Sequence, residues 1–275
     1  MFDVHVHSAP DVSPRLADDH QIVEWYDEAG YSGCVLKGHY GETAGRAAIV
    51  GRGLNVRVYG SLVLNQQVGG INPEAVAAAL EMGARVVWMP TADAHTQQTA
   101  GLPRLCCGRP ELSQVTYAIP PVDYSTAEAC RLILRLVADA DAVLATGHLS
   151  TAEVAWLLDE ARRTGVRRMM LTHPSYTVPF MSASEARSLT GRGAFAEITA
   201  AQLLDQPGFG AEEIAAFIRG VGYDRILLSS DAGQSHNPPP PIALETLIEQ
   251  LVGEGLDRSA LVDAASAVPE TLVVP

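Results

Sequence analysis

The chain has 275 residues, 47% of them hydrophobic and 19% charged, a globular balance that excludes wholesale disorder, collagen and coiled coil. Nineteen basic residues against 32 acidic ones give a net charge of −13, which weighs against nucleic acid or anionic membrane as the main partner. No apolar run approaches the roughly 18 residues of a membrane span, and Met1–His5 lacks the basic and apolar regions of a signal peptide. The cysteines, Cys34, Cys106, Cys107 and Cys130, form no Cys-x-x-Cys pair, so a reduced, cytoplasmic protein is expected.

Eight apolar runs are predicted as strands: 2–7, 34–37, 56–63, 84–89, 142–146, 168–172, 194–198 and 225–229. Most are continuous, the pattern of parallel strands buried on both faces. Helix signals lie between them. Asn72-Pro73-Glu74 sets an N-cap before a first-turn proline. Ser125–Glu128, Ser150–Glu153 and Ser182–Glu185 fit the capping-box spacing, and Gly30, Gly83 and Gly165 follow helical stretches as C-terminal caps. Eight strand–helix units without a linker predict one α/β domain over 1–275, a (β/α)8 TIM barrel rather than an open doubly wound sheet. The stretch 90–124, between strand 4 and its helix, is too long for a plain connection and is read as a lid insertion. It carries Arg104, Arg109, Tyr117, Cys106 and Cys107.

The histidines follow the strands. His5 and His7 end strand 1, and His39, His148 and His173 lie just past strands 2, 5 and 6. His95 and His236 are in loops after strands 4 and 8, and only His20 falls in a predicted helix. Barrel active sites sit at the C-terminal ends of strands, so this distribution points to one rim. Alternation along a strand projects His5 and His7 together, puts Asp3 on their face and turns Phe2, Val4 and Val6 toward the helices. With His148, His173 and Asp231 at the ends of strands 5, 6 and 8, imidazole and carboxylate converge without a thiolate. That chemistry suits zinc first, with manganese, nickel and iron as alternatives.

Lys37 is the only lysine among the 19 basic residues. Lys37-Gly38-His39 repeats the spacing of His5-Val6-His7, so Lys37 and His39 are expected to face the cavity together. Three roles are open for Lys37: a carboxylated bridge between two metals, a neutral amine acting as base or nucleophile, or a cation that binds a substrate carboxylate or phosphate. Glu197, at the end of strand 7, is either a supporting or acidic carboxylate of the site or a satisfied rim residue. Gly69-Gly70-Ile71-Asn72 offers backbone N–H groups to an anion or is a turn. Pro238–Pro241 stiffens the last loop.

Asp3-Val4-His5-Val6-His7, Thr146-Gly147-His148, Thr172-His173-Pro174 and Ser230-Asp231-Ala232 together resemble the metal-dependent amidohydrolase superfamily. The stretches 69–73, 87–91 and 145–150 resemble an uncharacterised amidohydrolase-like group, a likeness that supplies no substrate. The resemblance implies one or two divalent ions held by His5, His7, His148, His173 and Asp231, with Lys37 as the candidate bridge. The bridging glutamate or lysine of binuclear members is missing from Trp88-Met89-Pro90-Thr91 and from Leu64-Asn65-Gln66, which leaves the metal count open. It further implies a hydrolase that activates water to cleave an amide, cyclic imide, lactone or related ester of a small molecule. Asp231 would shuttle the proton, Lys37 and His39 would assist, and Arg104 or Arg109 would hold an anionic part of the substrate. Three rivals stand beside it: a metal-dependent decarboxylase of the same superfamily, a phosphoesterase of the polymerase-and-histidinol-phosphatase type that also begins His-x-His-Ser, and a non-catalytic metal-binding barrel. A homo-oligomer is left open.

Overall fold

The computed structural model describes residues 1–275 apart from 103, 104 and 106–108. The strands are β1 (Phe2–Val6), β2 (Gly33–Leu36), β3 (Arg57–Val63), β4 (Ala84–Trp88), β5 (Val143–Ala145), β6 (Arg168–Leu171), β7 (Ala194–Thr199) and β8 (Ile226–Ser229). All neighbouring pairs are parallel, in the order β1 to β8. The first and last strands close the ring through a Val6–Ala232 bridge, with His7 N donating to Ala232 O at 2.8 Å and Asp231 N to His5 O at 2.8 Å. The barrel expected from the sequence is therefore present, with strand ends shifted by one residue at most.

Helices cover its outside: α1 (Asp19–Glu28), α2 (Ala44–Val50), α3 (Pro73–Glu81), α4 (His95–Thr99), α5 (Ala127–Asp139), α6 (Thr151–Thr164), α7 (Ala183–Thr190), α8 (Ala200–Asp205), α9 (Ala211–Val221), α10 (Pro240–Gly253), α11 (Arg258–Ala264) and α12 (Ala267–Val273). Among the described residues no helix is long and apolar enough to cross a membrane. Two apolar layers result. Phe2, Val35, Val86, Met170 and Leu227 fill the barrel, where Leu272 and Val273 of α12 join them. Leu36, Leu64, Leu144 and Ile198 pack outward against helical residues such as Ile22, Ile133 and Leu157. Each fully buried aliphatic side chain contributes about 1.5–3 kcal/mol, so both layers support the ring.

Strand β1 departs from simple alternation. Asp3 lies opposite Cys34 and Val6 opposite Leu36, three steps against two, which makes a β-bulge. A bulge resets which side chains face inward. Phe2 and Val4 therefore line the barrel, and only Val6 turns to the helices as expected. Asp3 does not share the face of His5 and His7. Its carboxylate accepts Tyr26 Oη at 2.6 Å, His5 N at 3.0 Å and Ser230 N at 3.1 Å, and so braces the bulge.

Helix starts at Asn72, Ser150 and Ser182 carry the expected caps, the last two as complete capping boxes. The box expected at Ser125–Glu128 does not form. The Asp123 carboxylate accepts Ser125 N and the Ser125 hydroxyl, a charged acceptor outcompeting a neutral one, and Glu128 pairs with Arg131. The Gly69–Asn72 loop is a turn and not an anion site. Its Gly69, Gly70 and Asn72 N–H groups donate to Gln66 O, Asn65 O and Gly70 O. Gly70, at φ 71°, also leaves the space that the Tyr117 ring fills. Pro240 and Pro241 begin α10.

The insertion is tied down at the start of α4. His95 N donates to Tyr117 O and Tyr117 N to Asp93 O, both at 2.8 Å. The Glu153 carboxylate caps α6 and also accepts Ile119 N at 2.9 Å and the Thr96 hydroxyl at 3.3 Å. One buried carboxylate thus anchors the insertion to the helix that follows His148.

Candidate metal centre

Five imidazoles form a closed ring at the C-terminal rim. Successive ring centroids are 5.3 Å apart for His7–His5, 6.1 Å for His5–His173, 5.0 Å for His173–His148, 6.5 Å for His148–His39 and 4.9 Å for His39–His7. The structure thus brings together His5, His7, His39, His148 and His173. Two other rim histidines stay apart: His95 is exposed at the start of α4, and His236 is exposed and paired with Asp205 at 3.0 Å. His20 is exposed on α1.

Asp231 closes the group. Its Oδ1 lies 2.9 Å from His5 Nε2 and 3.1 Å from His7 Nε2. Among the described residues these three form a set whose donor atoms all lie within 4.8 Å of one another. Backbone strain accompanies the geometry, since His173 and Asp231 hold φ values of 23° and 48°, in the left-handed region.

His5 is held from behind. The Glu197 carboxylate only accepts, so its contact with His5 Nδ1 at 2.9 Å puts the hydrogen on Nδ1 and leaves the lone pair on Nε2. Glu197 also takes the Ser229 hydroxyl at 2.7 Å and His173 N at 3.0 Å, which makes it a supporting carboxylate of the site. His148 is wired alike. Its Nδ1–H donates to Gln97 Oε1 at 2.8 Å, from α4 of the insertion. Metal-ligating histidines carry such a second bond.

The fit to a metal rests on His5 Nε2 and Asp231 Oδ1. An imidazole lone pair and a carboxylate oxygen 2.9 Å apart repel unless a cation lies between them, a proton or a metal ion. Contacts of 2.9 and 3.1 Å also suit adjacent ligands on one ion with bonds of about 2.0–2.1 Å. Among the described residues, the buried Nδ1 atoms of His7 and His173 have no partner. The residues present fit a divalent ion.

Lys37 sits inside this group, 2% exposed, with Nζ 2.9 Å from His5 Nε2 and 4.3 Å above the Trp88 ring. One lone pair takes one partner, so Lys37 and an ion exclude each other at His5 Nε2. Strand β4, which offers no ligand, instead supplies the indole floor under Lys37 and His5.

Burial lowers the Lys37 ammonium to about 8, against the pull of Asp231 and Glu197. Burial is the largest influence on His5 and opposes its charge, but Asp231 and Glu197 together outweigh it and hold His5 above its ordinary pKa. Asp231 stays well below the usual carboxylate range because His5 and His7 outweigh its burial. His7, His39 and His148 lie well below the imidazole range, first through burial.

For His7 the next cause is Arg15. Arg15 lies in the loop after β1, bridged to Gln234, its side chain 5% exposed and held by Asp11 Oδ2 at 2.9 Å from Nε. Arg15 is not among the residues expected from the sequence, where its only signal is the Asp11–Arg15 spacing just after His-x-His. The two arginines expected at the substrate differ. Arg109 is an exposed side chain 3.7 Å from Glu111. Arg104, with Cys106 and Cys107, lies outside the described residues. Gln97 had no sequence signal beyond its place in the insertion.

A family model matches residues 1–197 of the chain. The chain belongs to DUF6282, a family of unknown function. No curated protein matches this family member. Several solved structures share its fold. An amidohydrolase from Pseudomonas aeruginosa aligns with TM-score 0.66 at 11% identity, over 99% of this chain and 94% of its own. A TatD homolog from Escherichia coli K12 aligns at 0.62 and 14%, over 100% and 98%. A beta-aspartyl dipeptidase from Fervidobacterium islandicum aligns at 0.61 and 16%, over 99% and 74%. At these identities the likeness is one of fold, the (β/α)8 barrel.

Proposed function

We propose that the chain is a metal-dependent hydrolase of a small molecule, acting on a carbonyl such as an amide, cyclic imide, lactone or related ester. The observation that carries this reading is the convergence of His5 Nε2, His7 Nε2 and Asp231 Oδ1, in contacts that are repulsive without a shared cation. The hydrolases among the solved neighbours support it, the dipeptidase by its amide substrate.

His5, His7 and Asp231 would hold one ion, with His148 and His173 completing its surroundings or holding a second. A divalent ion there, zinc first, supplies Lewis acidity that polarises a carbonyl and acidifies a water. The chain's own groups do the rest. Asp231 takes a proton from water at a carboxylate oxygen and returns it to the leaving group. Glu197 fixes His5 at Nδ1, and Gln97 fixes His148 at Nδ1. Lys37, displaced from His5 by the ion, would either take up carbon dioxide as a carbamate, losing a proton, and supply a further carboxylate-like ligand, or act as a free amine beside the reacting carbonyl.

The test is turnover by zinc- or manganese-loaded protein on a panel of lactones, esters, cyclic imides and dipeptides. Activity is expected with metal, none after chelation, and a loss of about 10²-fold or more in Asp231→Asn when compared per bound metal ion. Carbon dioxide released from an acid, or phosphate from an ester, with no hydrolysis of the panel, would replace this reading by a decarboxylase or a phosphoesterase.

A further inference from the structure

The hydrogen bonds around His39 can be counted through to a single tautomer. Asn65 Oδ1 accepts the backbone N–H groups of Thr91 at 2.9 Å and Asp93 at 3.2 Å, and Asn65 Nδ2 donates to the His39 carbonyl at 2.9 Å. Those backbone partners fix which end of the amide is oxygen and which nitrogen. The remaining Nδ2 hydrogen therefore goes to Thr91 Oγ1, at 2.9 Å. Thr91 is fully buried, and its own hydroxyl hydrogen needs an acceptor. Among the described residues that acceptor is His39 Nδ1, at 2.9 Å. The lone pair of His39 is thus on Nδ1, and its hydrogen is on Nε2.

His5 and His148 carry the opposite arrangement, with Nδ1–H engaged and Nε2 bare. One ring of histidines therefore holds two kinds: lone pairs suited to a metal, and an N–H suited to an oxygen. A protonated His39 fails the same count. A second hydrogen on Nδ1 would take the other lone pair of the Thr91 hydroxyl, and the Thr91 hydrogen would then be stranded in a buried site.

We propose that His39 is a neutral hydrogen-bond donor and not a metal ligand, its Nε2–H donating to the oxygen on which negative charge develops as a carbonyl is attacked. The proton stays on Nε2 throughout, and no bond to His39 forms or breaks. Thr91 and Asn65 are positioning residues that hold this tautomer. The assignment of the oxygen rests on the hydrolase reading; the tautomer and the absence of ligation do not.

Zinc-loaded protein labelled with 15N-histidine shows directly which ring nitrogen bears hydrogen, and His39→Gln identifies the His39 signals by their loss. The expected result is protonated Nε2 and bare Nδ1, kept in Thr91→Ser and lost in Thr91→Val. His39→Gln is expected to bind as much zinc as wild type and, on any carbonyl substrate that the protein turns over, to lower kcat by about 10²-fold with KM little changed. A hydrogen on Nδ1, or loss of zinc in His39→Gln, overturns the proposal. Failure of the wild type to bind zinc defeats the hydrolase reading instead, and the tautomer measured on the metal-free protein still decides the wiring of His39.

Discussion

At the lower end of the barrel, Arg168 donates to the carbonyls of Thr271, Leu272 and Val274 at 2.6, 2.8 and 2.9 Å, and pairs with Asp141 at 2.8 Å. Arg85 beside it donates to the carbonyls of Val273, Ala140 and Asp141. At the upper end, five imidazoles, a lysine and two buried carboxylates face one another, and the Nδ1 atoms of His7 and His173 have no partner among the described residues. Below, the cations satisfy carbonyls that the end of α12 leaves open, which is how a helix terminus is stabilised. Above, acceptors face acceptors, and the backbone at His173 and Asp231 is held in the left-handed region. Strain of this kind persists where a function needs it. The same barrel thus uses charge at one end for stability and, in the proposed hydrolase, at the other for chemistry.

The sharpest way to break that contrast is Lys37→Arg. If the amine is chemical equipment, activity falls by about 10²-fold or more, because arginine neither loses its proton nor forms a carbamate. Lys37→Met, which keeps the bulk, is expected to be as inactive. Metal analysis of Lys37→Met then separates the roles: loss of an equivalent marks a bridge, unchanged content a free amine. Near-normal activity in Lys37→Arg would leave Lys37 as a simple cationic anchor.

Gln97→Leu tests whether the insertion belongs to the upper end. Removing the acceptor from His148 Nδ1 is expected to weaken metal binding about 10- to 100-fold, read by competition with a chromogenic chelator. Unchanged affinity would mean that His148 does not ligate, or that Gln97 does not orient it.

Arg168→Met probes the lower end. It removes charged donors from three carbonyls and is expected to cost about 2–3 kcal/mol in urea denaturation. Activity per folded molecule should stay at the wild-type level. A fall in specific activity without a loss of stability would contradict the division between the two ends.

Much of this was legible in the sequence because parallel strands buried on both faces read as apolar runs, and a barrel puts strand ends at one rim. That reasoning alone places His5, His7, Lys37, His39, His148, His173 and Asp231 together. It fails where a contact across the fold decides. The bulge in β1 reverses Phe2, Val4 and Asp3 against their alternation, and what braces it, Tyr26 and Ser230, lies in other elements. Gln97 meets His148 only because Glu153 and Tyr117 pin the insertion. Thr91 and Asn65 reach His39 from two different strand ends. Ser125 loses its cap to Asp123, a competition of two nearby acceptors that spacing rules do not rank.

Most directly at stake is whether the upper rim is a divalent metal centre. Elemental analysis of protein reconstituted with zinc, before and after chelation, measures it without knowledge of the substrate. About one to two equivalents per chain, removable by chelator and sharply reduced in a His5→Ala, His7→Ala double variant, is the predicted result. Less than roughly 0.2 equivalents in the folded, reconstituted wild type would contradict it.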